Sequence, residues 1–150
     1  MSKSLYSNND PVQILSDEKM FYTPGQRGAS GSAKILPEFF KGAGALKAYA
    51  PWCPHCVSKV ECINTLAGIL KEEGFCIYVV DAEDNQHFSE NLDVKGFPTF
   101  FKVNEEGIVG PQLKLKGSPV GTVKGIVQSL CDDEKGFCKH VKTMDDKGCQ

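Results

Sequence analysis

Cys53 and Cys56 stand two residues apart in the string Cys53-Pro54-His55-Cys56, directly after Tyr49-Ala50-Pro51-Trp52. Two thiols at this spacing can close a small disulfide ring at a helix start, where one sulfur is activated and the other serves as an internal resolving thiol. Amide dipoles at a helix N-terminus favour a thiolate at Cys53, and a protonated His55 adds positive charge beside it. Pro54 has no N–H to donate, which costs nothing in a first helical turn. Cys56, one turn further in, should be more buried and less reactive. The pattern points to redox chemistry.

Such a pair needs a rigid strand before it and a helix after it. Ala45 to Ala50 reads as a buried strand ending at Pro51. From Pro54 to Glu73 the apolar residues Cys56, Val60, Ile63, Ala67 and Leu70 recur at spacings of three and four, and Gly74 supplies a stop. Phe75 to Asp81 is a run of β-branched and aromatic residues, the mark of a central strand buried on both faces. Gln86 to Leu92 suits a short helix. Thr99–Val103 and Gln112–Lys116 read as strands joined by a turn at Glu105-Glu106-Gly107. Ser118-Pro119 is a capping pair opening a last helix with Val120, Val123, Val127 and Leu130 on one face.

Upstream, Val12 to Leu15 is a short strand candidate, and Asp17-Glu18 opens a helix expected to reach Tyr22. Thr23 to Ser32 is rich in Gly and Ser and is expected to be a mobile surface loop, part of a flexible insertion over residues 23–34. Pro37 to Phe40 adds a helical turn. A β-α-β unit followed by a hairpin and a closing helix predicts an α/β domain with a mixed sheet.

At 150 residues the chain supports one domain of ordinary size. Its 41% hydrophobic and 24% charged residues exclude disorder throughout. A single arginine, Arg27, and scattered lysines leave no nucleic-acid footprint, and no apolar run approaches the ~20 residues of a membrane span.

Four pieces together carry a resemblance. Tyr49-Ala50-Pro51-Trp52-Cys53-x-His55-Cys56 resembles the active-site string of protein disulfide isomerases. Gly96-Phe97-Pro98-Thr99 resembles the cis-proline segment of the thioredoxin superfamily. Val79-Val80-Asp81 matches the strand end between them, and Gly117 fits the glycine after the last strand that faces the active site. Over roughly residues 12–131 the sequence is thus similar to the thioredoxin superfamily, and within it to the isomerase branch. Residues 1–11 are expected to form a polar N-terminal segment and residues 132–150 a polar, cysteine-containing tail.

The resemblance implies a thioredoxin fold, a mixed central sheet flanked by helices on both faces. It also implies thiol–disulfide exchange on protein substrates with Cys53 attacking and Cys56 resolving, no cofactor beyond the redox-active Cys53–Cys56 disulfide, and a separate redox partner. Phe97, Pro98 and Gly117 would border the substrate; family members use the backbone edge before the proline to grip a peptide as an added strand. Trp52 would shield one side.

Three departures from the family pattern matter. Pro54-His55 stands where isomerases carry Gly-His and thioredoxins Gly-Pro, and it resembles the dipeptide of periplasmic disulfide oxidases. A more stable thiolate lowers the free energy of the reduced form and makes the disulfide a better oxidant. Lys47 occupies the place of a buried Asp or Glu that takes the proton of the resolving thiol. It either snorkels to the surface from a strand end or lies partly buried and favours thiolates. Glu61 replaces a helix-kinking proline, so a straighter helix is expected.

Other readings remain at this stage. The pair could be a structural clip in a redox-inactive binding or chaperone module. A zinc site is poorly supplied, because one C-x-x-C offers two ligands and His87 and His140 stand apart. Cys62 and Cys76 read as small buried hydrophobes. Cys131, Cys138 and Cys149 could pair with each other, pair between chains or stay free. Met1 to Pro11 holds no apolar stretch of secretory type, which suggests a cytoplasmic protein. An oxidising pair there needs a dedicated disulfide pathway, such as large cytoplasmic DNA viruses possess; a removed leader would place the chain in a secretory compartment instead.

Overall fold

The computed structural model describes residues 5–25, 31–58, 60–72 and 74–113. In chain order its elements are β1 (Gln13–Leu15), a 3-10 turn (Asp17–Lys19), β2 (Met20–Thr23), β3 (Ser32–Ile35), β4 (Gly44–Tyr49), α1 (Pro54–Ser58), α2 (Val60–Glu72), β5 (Cys76–Asp81), α3 (Gln86–Asn91), β6 (Thr99–Val103) and β7 (Ile108–Gln112). The strands form one mixed sheet in the order β1-β5-β4-β6-β7-β3-β2. β1 and β4 run parallel to β5, and every pairing from β4 through β6, β7 and β3 to β2 is antiparallel.

β4 lies between β5 and β6, and all six of its residues are buried. Successive side chains therefore divide between two cores. Ala45 and Tyr49 join Ile77, Val79 and Phe100 beneath Ile63, Leu66 and Leu70 of α2. Leu46 and Ala48 join Tyr78, Val80 and Phe101 against Phe88 of α3. Helices thus cover both faces. Gly44 lets the first of these strands approach its neighbour, since a Cβ there would fall 1.8 Å from the backbone oxygen of Cys76.

The expected helix at Asp17–Tyr22 is not found. Asp17–Lys19 makes one 3-10 turn, the chain then runs out as β2 where the helix was expected, and it returns as β3, which begins inside the stretch expected to be a loop insertion. Ala33 pairs with Val109 and Lys34 with Ile108, so this hairpin widens the sheet beyond β7. The cause is an alternation of period two: Met20, Ala33 and Ile35 are buried while Phe21 and Lys34 face solvent. Asp17 fastens the hairpin to α3, because its carboxylate accepts the amide N–H of Phe88 and the hydroxyl of Tyr22. The centre of the Gly/Ser stretch, residues 26–30, lies outside the described residues.

The strand expected at Gln112–Lys116 begins earlier, as β7. Asn104 accepts the amides of Glu106 and Ile108 through its side chain, and Gly107 adopts a φ of +83°, which reverses the chain at once. The helical turn near Pro37–Phe40 is present, with the amides of Phe39 and Phe40 both donating to Leu36 O. The long helix from Pro54 is described as α1 and α2; Lys59 and Glu73 lie outside the described residues. So do residues 114–150, with Gly117, the expected last helix, Cys131, Cys138, His140 and Cys149.

Candidate functional site

The chain leaves β4 through Ala50 and Pro51 and turns tightly, with Cys53 N–H donating to Ala50 O at 3.1 Å. Cys53 O then accepts the amides of Cys56 and Val57 at 3.0 Å each, so Cys53 stands at the N-terminal end of α1 with Pro54 as its first residue. Cys53 keeps a 4% exposed rim, and Cys56 has none. Burial, followed by its hydrogen bond to Cys53, pushes the Cys56 thiol up to about 12. One sulfur meets the surface and the other is held protonated beneath it.

Facing Cys53, the Phe97–Pro98 bond is cis, as the resemblance implies. The Cys53 thiol reaches Phe97 O at 3.5 Å, while Thr99 Oγ1 donates to Gly96 O and ties down the loop. Trp52, 63% exposed, stands edge-on to Phe97 with ring centroids 5.8 Å apart. Its indole N–H donates to Glu83. Glu83 is held in turn because Asp81, at the end of β5, accepts the amides of Glu83 and Asp84. Burial raises the Asp81 carboxyl above its ordinary value. Trp52 and half-buried Phe97 give this side of the pair an apolar lip.

Beneath the pair lies Lys47, with none of its surface exposed. On β4 it pairs laterally with Val79 and Phe100, and it faces the α1–α2 side. Its Nζ donates to Tyr6 Oη at 2.8 Å and to Cys56 O at 3.3 Å. Desolvation pulls the amine down to about 8, against the opposing pull of thiolate charge at Cys56 and Cys53. The snorkelling alternative is excluded, and the amine is fully rather than partly buried. Tyr6 is itself buried and packs edge-on against Tyr49 at 5.5 Å. Burial, with Tyr49, Cys56 and Asp10 adding to it, keeps its phenol protonated well above the ordinary range.

With this geometry in place, likeness to known proteins can be assigned. The thioredoxin family profile matches residues 41–118, just over half of the chain. The chain belongs to the thioredoxin family. It is 44% identical over 61 residues to protein disulfide-isomerase 1 of Caenorhabditis elegans, covering 38% of this chain and 13% of that protein. To protein disulfide-isomerase of Hordeum vulgare it is 30% identical over 102 residues, covering 67% and 17%. Sulfhydryl oxidase 1 of Rattus norvegicus is 28% identical over 126 residues, covering 80% and 15%. The chain thus spans no more than a fifth of the length of these curated relatives. Among solved structures, chloroplastic thioredoxin z superposes with a TM-score of 0.52 at 16% identity, covering 81% of this chain and 92% of that one. Thioredoxin from Trypanosoma brucei brucei gives 0.50 at 19% identity, covering 63% and 77%. These two likenesses establish the fold.

Of the residues singled out in the sequence, the structure brings together Lys47, Trp52, Cys53, Pro54, Cys56, Phe97 and Pro98. The His55 side chain and Gly117 lie outside what is described. Tyr6 and Glu83 were missed. Tyr6 sits in a polar segment with no periodicity to mark it, whereas Glu83, two residues past a strand end in this family, could have been suspected as a partner for Trp52. Cys76 is a half-buried thiol at the start of β5, raised by burial. Among the described residues no three His, Cys, Asp or Glu side chains gather as a metal site, and no helix is long and apolar enough to cross a membrane.

Proposed function

We propose that this chain is a thiol–disulfide oxidoreductase acting on protein substrates, with Cys53 as the attacking sulfur and Cys56 as the resolving one. The observation that supports it best is the asymmetry of the pair, a rim-exposed Cys53 at a helix start beside Phe97 O and a fully buried Cys56 behind it. Cys53 attacks a substrate disulfide to form a mixed disulfide, which the Cys56 thiolate breaks; in reverse, a substrate thiolate attacks Cys53 in the intramolecular disulfide. The backbone before Pro98 would hold the substrate segment as an added strand, with Trp52 and Phe97 covering its side chains.

The direction leans toward oxidation or isomerisation. The charge of the buried Lys47 opposes the burial that raises the Cys56 thiol, and this lowers the free energy of the reduced pair and raises its potential. The likeness to proteins named disulfide isomerase and sulfhydryl oxidase agrees with that lean. The test is trapping. Cys56→Ser should accumulate disulfide-linked adducts with a reduced and scrambled protein substrate, and Cys53→Ser should form none. Equal trapping by both variants, or by neither, would reject the assignment.

A further inference from the structure

We infer that Asn85 is a positioning residue for Trp52, and that through it the β2–β3 hairpin sets the indole that meets substrate. This deepens the function proposed above and rests on it. Asn85 stands at the N-cap of α3, where an asparagine ordinarily accepts the second or third amide of its own helix. Its side chain makes no such bond. Asp17, from the turn before β2, takes that part instead. Its carboxylate accepts the amide N–H of His87 at 3.3 Å and that of Phe88 at 3.1 Å. Asn85 Oδ1 in return accepts the amide N–H of Asp17, the first residue of the 3-10 turn, at 2.8 Å. Each residue thus serves the helical end of the other across 68 positions of sequence.

The exchange leaves the Asn85 amide free to bridge. Its Nδ2 donates to Asp81 O at 2.8 Å while its Oδ1 holds Asp17. A backbone N–H can only donate and a carbonyl only accept, so the amide has one orientation. Asp81 in turn fixes the short loop beyond β5, because its carboxylate accepts the amides of Glu83 at 3.0 Å and Asp84 at 3.3 Å. Glu83 accepts the indole N–H of Trp52. At the other end the Tyr22 hydroxyl donates to Asp17, and Tyr22 belongs to β2, which β6, β7 and β3 separate from β4 in the sheet. A continuous set of hydrogen bonds and short backbone segments therefore joins the hairpin to the lip. α3 is capped without Asn85, so the helix itself does not call for the bridge. What the bridge holds is the loop that carries Glu83. Trp52 is exposed, and Glu83 and Phe97 orient its ring, so the setting of that loop decides where the indole stands.

The experiment compares the full chain with Asn85→Ala, which removes both bonds, and with Asn85→Asp, which keeps the acceptor for Asp17 but sets an oxygen against Asp81 O. Trp52 is the only tryptophan in the sequence, so fluorescence of the reduced protein reads the lip alone. Acrylamide quenching should rise and anisotropy should fall in both variants. In oxidative refolding of a reduced and scrambled protein, KM should rise at least about twofold while kcat changes by less than that. The reduced chain should react with oxidised glutathione, too small to need the lip, at a rate within about twofold of the unaltered chain. A tie that is merely structural would lower the urea midpoint and leave quenching and KM unmoved, and that result overturns the inference. An equal loss with glutathione also overturns it, because the effect would then reach Cys53 and not the lip. Tyr22→Phe, which loosens Asp17 from β2, should move quenching and KM in the same direction by a smaller factor. It decides should both Asn85 variants fail to fold, and unmoved values there overturn the part given to the hairpin. An unaltered chain with no exchange activity would instead reject the proposed function, and the quenching result would still decide the tie.

Discussion

The two sides of the Cys53–Cys56 turn are built from different materials. The outer side is an aromatic lip, exposed Trp52 against half-buried Phe97, held by one indole hydrogen bond to Glu83. The inner side is a sealed floor in which the Lys47 amine donates to the Tyr6 hydroxyl and to the Cys56 carbonyl amid hydrocarbon. The lip can tolerate change because water replaces whatever is removed there. The floor cannot, since a polar group that loses its partner there finds no water to replace it. Under the proposed function, recognition would fall to the adaptable surface and the resolving sulfur to the rigid one.

The largest expected effect falls where floor and lip meet. Cys53→Ser should abolish exchange, measured as oxidative refolding of a reduced protein, while leaving urea stability within about 1 kcal/mol. Next comes the buried charge. Lys47 is lowered from an ordinary 10.5 to about 8, so its burial costs about 3 kcal/mol while both folded and unfolded chains carry the proton, below pH 8. That cost fades as the folded protein loses the proton first. Cys56 acts in the opposite sense above pH 9, where the unfolded thiol ionises and the folded one does not until about 12. Between pH 8 and 9 the reduced protein should therefore gain about 1 kcal/mol, and Lys47→Met should show no such gain in urea titrations. A flat wild-type profile would mean that the amine is not desolvated.

Tyr6→Phe removes a hydrogen bond to a charged donor and should cost about 1–2 kcal/mol by the same titration. The smallest effect belongs to the lip. Trp52→Ala should change stability by no more than about 0.5 kcal/mol while raising KM for protein substrates several-fold, because exposed apolar surface serves contact with substrate more than folding. If Trp52→Ala proved as destabilising as Tyr6→Phe, the contrast between the two sides would fail.

The elements around the site were legible because each carries a local signature. Cys56, Val60, Ile63, Ala67 and Leu70 mark one helix face, and the run ending at Asp81 marks a strand buried on both sides. The hairpin of β2 and β3 was not read, because glycine and serine between its strands masked two short alternations whose buried residues, Met20, Ala33 and Ile35, find their partners far along the chain. Lys47 drew notice only as a departure from the family pattern. Its burial could not be read locally, since it depends on Val79, Phe100 and Tyr6, each distant in sequence. Tyr6 was invisible for the same reason, as an isolated aromatic acquires meaning only from the amine it meets.

The account rests on Cys53 and Cys56 being a working redox couple whose reduced form is favoured by its surroundings. Equilibration of the full chain in glutathione buffers, with the thiol and disulfide forms counted by mass spectrometry, tests this directly. The account predicts one two-electron transition well above thioredoxin's ~−270 mV, toward the ~−180 mV of disulfide isomerases. A transition near ~−270 mV would contradict the oxidising lean, and no transition at all would contradict the redox assignment itself.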